Sequence, residues 1–239
     1  MFLGRNSFIT GGVAKILGLF TWGEDTHGQL GLNNTTYYSS PKQVGTLKAW
    51  TKVMGGRQCA MALKSDGTLW SWGINTYGGL GLGDTVKRSS PVQVGALNNW
   101  ASIGGGGYNC FGGIKTDGTL WTWGQNSWGK LMQGTGSTAH LSSPVQVGTL
   151  TGWIKFDNDN QTSAALKSDG TLWTAGYNTP GGLGTGNIIH RSSPTQVGGT
   201  TWSNIEVGDN IMIALRSDGT MWSWGAGSFG ATGHGNSTP

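Results

Sequence analysis

One string recurs through this chain and limits what it can fold into more than any other feature. SDGTLWSWG at residues 65–73 returns as TDGTLWTWG at 116–124, SDGTLWTAG at 168–176 and SDGTMWSWG at 217–225, with a fainter GLFTWG at 18–23. The Asp-Gly pairs begin at Asp66, Asp117, Asp169 and Asp218, in steps of 51, 52 and 49 residues. A second block, SSP-x-QVG, starts at Ser39, Ser89, Ser142 and Ser192. Each copy also carries a Trp followed three residues later by a large apolar residue: Trp50/Val53, Trp100/Ile103, Trp153/Phe156 and Trp202/Ile205. A period of about 50 residues is the size of a propeller blade.

Within each copy the signals are those of short strands. An Asp-Gly pair between alternating apolar residues is a strong hairpin signal. In LWSWG the alternation sets Leu69, Ser71 and Gly73 on one face and Trp70 and Trp72 on the other. The Trp run supplies a strand before this hairpin and the SSP run one after it. Pro at the start of the last strand suits an edge, because it donates no ladder hydrogen bond. Composition agrees: 45 of the 239 residues are Gly, each worth up to about 1 kcal/mol against a helix interior. Thirteen Trp argue for a packed core and against disorder. We expect one all-β repeat domain over residues 1–239, a β-propeller-like array of about five four-stranded blades. Its sequence units run approximately 1–38 (partial), 39–88, 89–141, 142–191 and 192–239.

The order of these motifs resembles the regulator of chromosome condensation repeat, a β-propeller family. The resemblance rests on SDGTLWSWGINTYGGLGLG at 65–83 and SSPVQVGALNNWASIGGG at 89–106, and it covers nearly the whole chain from Gly18 onward. It implies a propeller, seven-bladed in the founding member, which acts as a guanine-nucleotide exchange factor for a small GTPase through loops and a projecting wedge. Four full copies and one partial stand here, and no insertion has the length of that wedge. The family's His ahead of the Ala-Leu pair is replaced by Cys59, Cys110, Thr162 and Ile211.

Candidate chemistry dissolves into repeat variation. GQNSWGK at 124–130 imitates a phosphate-binding loop, but Leu131 follows where Ser or Thr holds magnesium, and GINTYGG is the same stretch one copy earlier. His140 and His190 are equivalent loop residues, with no further ligand repeating beside them. Asp157, Asn158, Asp159 and Asn160 imitate the start of a calcium loop without its Gly or its closing Glu. Cys59 and Cys110 share one slot and are expected as buried free thiols. We therefore expect no catalytic residues, no metal site, no cofactor and no enzymatic activity.

The charge balance of +4, from 15 Lys and Arg against 11 Asp and Glu, is scattered. That excludes a nucleic-acid groove. No stretch is apolar and long enough for a membrane span or a signal peptide.

Specificity in a repeat protein sits at the varied positions. The slot five residues after each Trp or Ala of the Trp-Gly or Ala-Gly pair reads His27, Tyr77, Trp128, Pro180 and Phe229. Its ring-bearing members His27, Tyr77, Trp128 and Phe229 are the binding candidates, against a packing role on the next blade. Gln58, Asn109, Gln161 and Asn210 form a ring of amides at one level of the axis, expected to be structural. The function expected is non-enzymatic structure or recognition, binding proteins or other copies of itself. The setting expected is a bacteriophage virion surface, tail or fibre component, placed in the virion or outside the cell. A cytoplasmic exchange factor for a small GTPase and a lectin for host-surface glycans are the alternatives. The array is expected to be incomplete alone, its ends closed by another chain or by an N-terminal strand around Ser7, Phe8, Ile9 and Thr10.

Overall fold

The computed structural model describes residues 18–46, 49–134, 136, 138–199, 201–208, 211–226 and 232–233. Their strands form five antiparallel sheets, one after another along the chain. The first holds β1 (Phe20–Gly23) and β2 (Tyr38–Gln43). The second holds β3 (Trp50–Gly55), β4 (Cys59–Lys64), β5 (Leu69–Gly73) and β6 (Arg88–Gln93). The third repeats this with β7 (Trp100–Gly105), β8 (Cys110–Lys115), β9 (Leu120–Gly124) and β10 (Leu141–Gln146). The fourth has β11 (Trp153–Asn158), β12 (Thr162–Lys167), β13 (Leu172–Gly176) and β14 (Arg191–Gln196). The fifth has β15 (Trp202–Gly208), β16 (Ile211–Arg216) and β17 (Met221–Gly225).

Each sheet is a meander, the blade of a β-propeller. Among the described residues three blades have four strands, the last has three and the first has two. A sheet begins at the Trp strand, so the SSP strand that opens a sequence unit is the outermost strand of the preceding blade. Pro91, Pro144 and Pro194 sit on that outer strand, inside the stretches where ladder register breaks. There the missing N–H costs no bond. The proposed strand at residues 7–10 lies outside the described residues.

The Asp-Gly hairpin takes a three-residue form rather than a two-residue one. Lys64 N–H donates to Thr68 O at 3.0 Å across Ser65, Asp66 and Gly67, and Gly67 has φ 77°. Only the last of the three loop residues is left-handed, which is a type I turn closed by a bulge. Asp66 Oδ1 accepts from Thr68 N–H at 3.0 Å and from Thr68 Oγ1–H at 2.6 Å, and Thr68 Oγ1 in turn accepts from Trp70 Nε1–H at 2.9 Å. The chain of bonds recurs at Asp117/Thr119/Trp121, Asp169/Thr171/Trp173 and Asp218/Thr220/Trp222. Basic residues roof the same indoles, Lys115 over Trp121 at 3.5 Å and Arg216 over Trp222 at 3.8 Å.

The alternation expected in LWSWG is real, yet both faces are buried, because a blade has a neighbour on each side. Leu69, Ser71 and Trp72 are all inaccessible. Successive blades meet through their inner strands, with the first strand of one against the second strand of the blade before. Gly112 on β8 lies under Phe156 of β11, where an added Cβ would come within 2.4 Å of the ring. Tryptophan indoles lock three of the four junctions, the fourth having Ala175 in the indole's place. Trp72, Trp123 and Trp224 donate Nε1–H to the carbonyls of Gln29, Gly79 and Gly182 in the preceding blade, at 2.9, 3.0 and 3.1 Å.

The last blade exposes what the others bury. Met221 is 75% exposed where its counterpart Leu69 is at 0%, and Ile213 and Leu215 are exposed beside it.

Candidate functional site

The loops that lead into the outer strands of the first four blades project from one face, and a buried polar side chain shapes each of them. Oδ1 of Asp25, Asn75, Asn126 and Asn178 accepts the backbone N–H five residues on, from Leu30, Leu80, Leu131 and Leu183, at 2.9, 2.9, 3.0 and 2.8 Å. Burial pushes the one carboxyl of this set, Asp25, above the ordinary aspartate range. The varied slot falls two residues after the hub, so a repeated internal bond presents a different side chain in each of these four blades.

Tyr77 and Trp128 are exposed at this slot and His27 is partly so. His27 N–H donates to Gln29 Oε1 at 2.8 Å. Tyr77 meets His140 of the next blade edge-on, ring centroids 4.8 Å apart. Trp128 meets Tyr177 and His190 of the next blade, each at 5.0 Å, and those two rings stack at 4.7 Å. Packing on the next blade and exposure to solvent therefore coexist: Trp128 is 45% exposed on top of its two ring contacts. His140 and His190 each accept a loop N–H at Nδ1, from Asn126 at 3.1 Å and Asn178 at 2.9 Å. Phe229 lies outside the described residues.

The amide slot borders the same face. Gln58, Asn109 and Gln161 sit in the turns between first and second strands, and their carbonyls accept from Ile74, Gln125 and Tyr177 N–H at 2.9, 3.0 and 3.0 Å. Asn109 is buried, and its Oδ1 accepts the Cys59 thiol across the junction at 3.6 Å. Both cysteines are free and buried. Burial pushes Cys59 up to about 12 and Cys110 to about 11, so neither is a thiolate near neutrality. Asn210 lies outside the described residues.

The segment that imitates a phosphate loop is the long loop of the third blade, with a 3₁₀ turn over Ser127–Gly129. Lys130 is fully buried and donates Nζ–H to the carbonyls of Asp159 and Asn160 at 3.0 and 2.9 Å. It ties two blades together. The segment that imitates a calcium loop is likewise engaged. Asp159 Oδ1 accepts from Gln161 and Thr162 N–H at 2.8 and 2.7 Å, and Asp157 Oδ2 accepts from Val207 N–H at 2.7 Å.

Sequence reasoning missed three members of this surface. Tyr108, exposed in the turn of the third blade, has φ 43°, and Arg57 of the second blade lies over its ring at 5.3 Å. Trp128 has φ 63°. A left-handed backbone costs a residue with a side chain roughly 1–2 kcal/mol. Here it carries two exposed rings on one face of one blade, the pattern of strain kept at recognition sites. Tyr177 and Arg191 are the other two. Tyr177 was visible as a variable residue after Ala-Gly, and Arg191 as the residue after His190.

Comparison with known proteins follows the same lines. The profile described as Regulator of chromosome condensation (RCC1) repeat matches residues 18–63, 66–112 and 169–215, and a second profile of that repeat matches 202–231. Human and mouse E3 ubiquitin-protein ligase HERC2 are 34% identical over 88 residues, which is 36% of this chain and 2% of those proteins. The chain therefore spans a small fraction of these curated relatives. Human WBSCR16 superposes with a TM-score of 0.79 at 23% identity, covering 92% of this chain and 60% of that one. Yeast RCC1 (Prp20), solved bound to Kap60, gives 0.76 at 19% identity over 91% of this chain and 54% of its own. Prp20p from Saccharomyces cerevisiae, studied for binding to Gsp1p and histones, gives 0.70 at 18% identity over 80% and 50%.

Proposed function

Because the chain belongs to the regulator of chromosome condensation (RCC1) repeat family, we propose that it is a non-catalytic recognition propeller whose long-loop face binds a protein partner. The observation that carries this is Trp128, an exposed ring held at φ 63° against Tyr177 and His190 of the neighbouring blade. Exposed Ile188 and Ile189 extend the apolar surface on the fourth blade. Aromatic anchors on a rigid frame are what protein interfaces concentrate. Structural relatives of this fold bind proteins, namely Kap60 in one case and Gsp1p and histones in another. A virion setting is part of the proposal, supported by the sparse charge and the regular copies; co-purification with particles tests it.

Selection from a displayed library of random peptides tests the face itself. Wild-type protein is expected to enrich binders that Trp128→Ala no longer holds. Acceleration of nucleotide release from a small GTPase, unaffected by Trp128→Ala, would point instead to an exchange factor using another surface.

A further inference from the structure

Two blades carry an arginine at the start of their outer strand, and the two arginines differ in their partners. Arg88 donates Nη2–H to Asp84 Oδ2 at 2.6 Å and Nη1–H to Val86 O at 2.6 Å. Two blades on, Arg191 begins β14 in the same place, and the position of Asp84 is taken by Asn187. The surrounding loop is otherwise preserved. Val86 N–H donates to Asp84 Oδ1 at 2.9 Å, and Ile189 N–H donates to Asn187 Oδ1 at 3.0 Å. Asn75 Nδ2–H donates to the carbonyls of Asp84 and Val86, and Asn178 Nδ2–H to those of Asn187 and Ile189. One carboxylate has been exchanged for a neutral amide without rebuilding the loop.

Arg191 is left without that carboxylate, and its Nε is buried with no hydrogen-bond partner among the described residues. An arginine fork unmatched on a protein surface favours a carboxylate from outside. Its place in the fold puts it beside the aromatic cluster. His190, the preceding residue, touches Trp128 and Tyr177. The loop carrying Trp128 is anchored to the following residue, through Gly134 N–H donating to Ser192 O at 2.9 Å.

From this we infer that the site on the third and fourth blades takes an acidic peptide segment of a partner protein. A carboxylate pairs with Arg191 and a neighbouring apolar side chain lies on Trp128. The inference rests on the recognition reading above and adds the chemistry of the ligand. Exposed Ile188 and Ile189 beside the arginine favour a peptide with apolar side chains over a sugar, which needs polar partners around an aromatic platform.

The test uses the whole chain and a displayed library of random twelve-residue peptides. Enriched peptides are expected to carry Asp or Glu next to Leu, Phe or Trp. The strongest of them, made synthetically, is expected to lose affinity with added salt and to bind Asn187→Asp roughly tenfold more weakly. That variant rebuilds the internal ion pair of Arg88 while leaving Trp128, Tyr177 and His190 untouched. It is expected to melt no lower than wild type, which separates loss of binding from loss of fold. Arg191→Gln is expected to weaken binding in the same way. Binders without acidic residues, or full affinity in Asn187→Asp with loss in Trp128→Ala, overturn the acidic ligand and leave the recognition face standing. No enrichment at all, or binding to a sialylated glycan alone, overturns both.

Discussion

Met132 and Ala175 share one buried cluster at the junction of the third and fourth blades, in the places that Gly81 and Trp123 hold one junction earlier. At the earlier junction an added Cβ on Gly81 would stand 2.8 Å from the Trp123 indole nitrogen, and Gly31 and Gly184 face Trp72 and Trp224 at 2.8 and 2.6 Å. Where the indole is absent, a side chain has entered the glycine slot, even at φ 62°. The lost indole hydrogen bond is replaced too: Ser163 Oγ–H donates to Lys130 O at 2.5 Å. Two substitutions far apart in sequence therefore compensate one another in volume and in polarity.

That compensation is testable as a double-mutant cycle. Ala175→Trp overfills the junction and is expected to destabilise the protein by about 1–3 kcal/mol. Met132→Gly leaves a cavity and is expected to cost about 2–4 kcal/mol. Together they restore the Gly–Trp pair, so urea denaturation should show a combined loss well below the sum. Additive losses would mean that the two residues do not share space.

Lys130 makes a second prediction. Burial holds its ammonium below the ordinary lysine range. Between that lowered value and the unfolded value of 10.5 the unfolded chain binds more protons, so stability rises with pH across this interval. Lys130→Met keeps the stem and removes the titration. The wild type is expected to gain stability relative to this variant as pH rises toward 10.5, measured by denaturant melts at each pH.

Asp157 and the four turn aspartates are shifted in opposite directions. Asp157, desolvated between the fourth and fifth blades, is raised to about 6. It contributes stability that is full below 3.8 and lost as pH rises through about 6. Asp66, Asp117, Asp169 and Asp218 are held below the ordinary range by the Thr hydroxyl and N–H they accept from. Their contribution is present above 3.8 and lost as pH falls through their lowered values. Carboxyl carbon resonances followed by NMR are expected to show Asp157 titrating near 6 and the four turn aspartates titrating late in acid. Asp157 titrating with those four would refute its burial.

Most of the fold was legible because the strands, the Asp-Gly hairpin and the edge prolines are local patterns repeated in one chain. The aromatic slot was legible for the same reason, by comparing copies. What escaped depends on the neighbouring blade. Lys130 reads as a phosphate-loop lysine until Asp159 and Asn160 of the next blade are seen to accept from it. Trp222 reads as core, yet it is exposed: its counterparts Trp70, Trp121 and Trp173 pair with a fourth strand, and the last sheet has three strands among the described residues. The backbone of Tyr108 and Trp128 leaves no trace in composition. The unpaired state of Arg191 was within reach, since Asp84 and Asn187 stand at matching positions, but it required knowing that Asp84 pairs with Arg88.

The last blade supplies a fourth prediction. Ile213, Leu215 and Met221 form an exposed apolar face whose counterparts Met61, Leu63 and Leu69 are buried by the next blade. Such faces mark contacts. The protein is expected to associate with rising concentration in sedimentation runs, and Met221→Glu to shift it toward monomer. A wild-type monomer at every concentration would contradict this.

Trp128 separates recognition from stability most sharply. Trp123→Ala empties the core and is expected to cost about 3–5 kcal/mol. Trp128→Gly relieves a left-handed backbone and is expected to stay within about 1 kcal/mol of wild type, while losing the ligand.

Hydrogen exchange with a peptide selected on the wild-type protein places the binding surface directly. The account predicts slowed exchange on binding in residues 126–134 and 177–191, in wild type and not in Trp128→Gly. Protection confined to the Asp-Gly turns at residues 64–68, 115–119 and 167–171, on the opposite face, would contradict it.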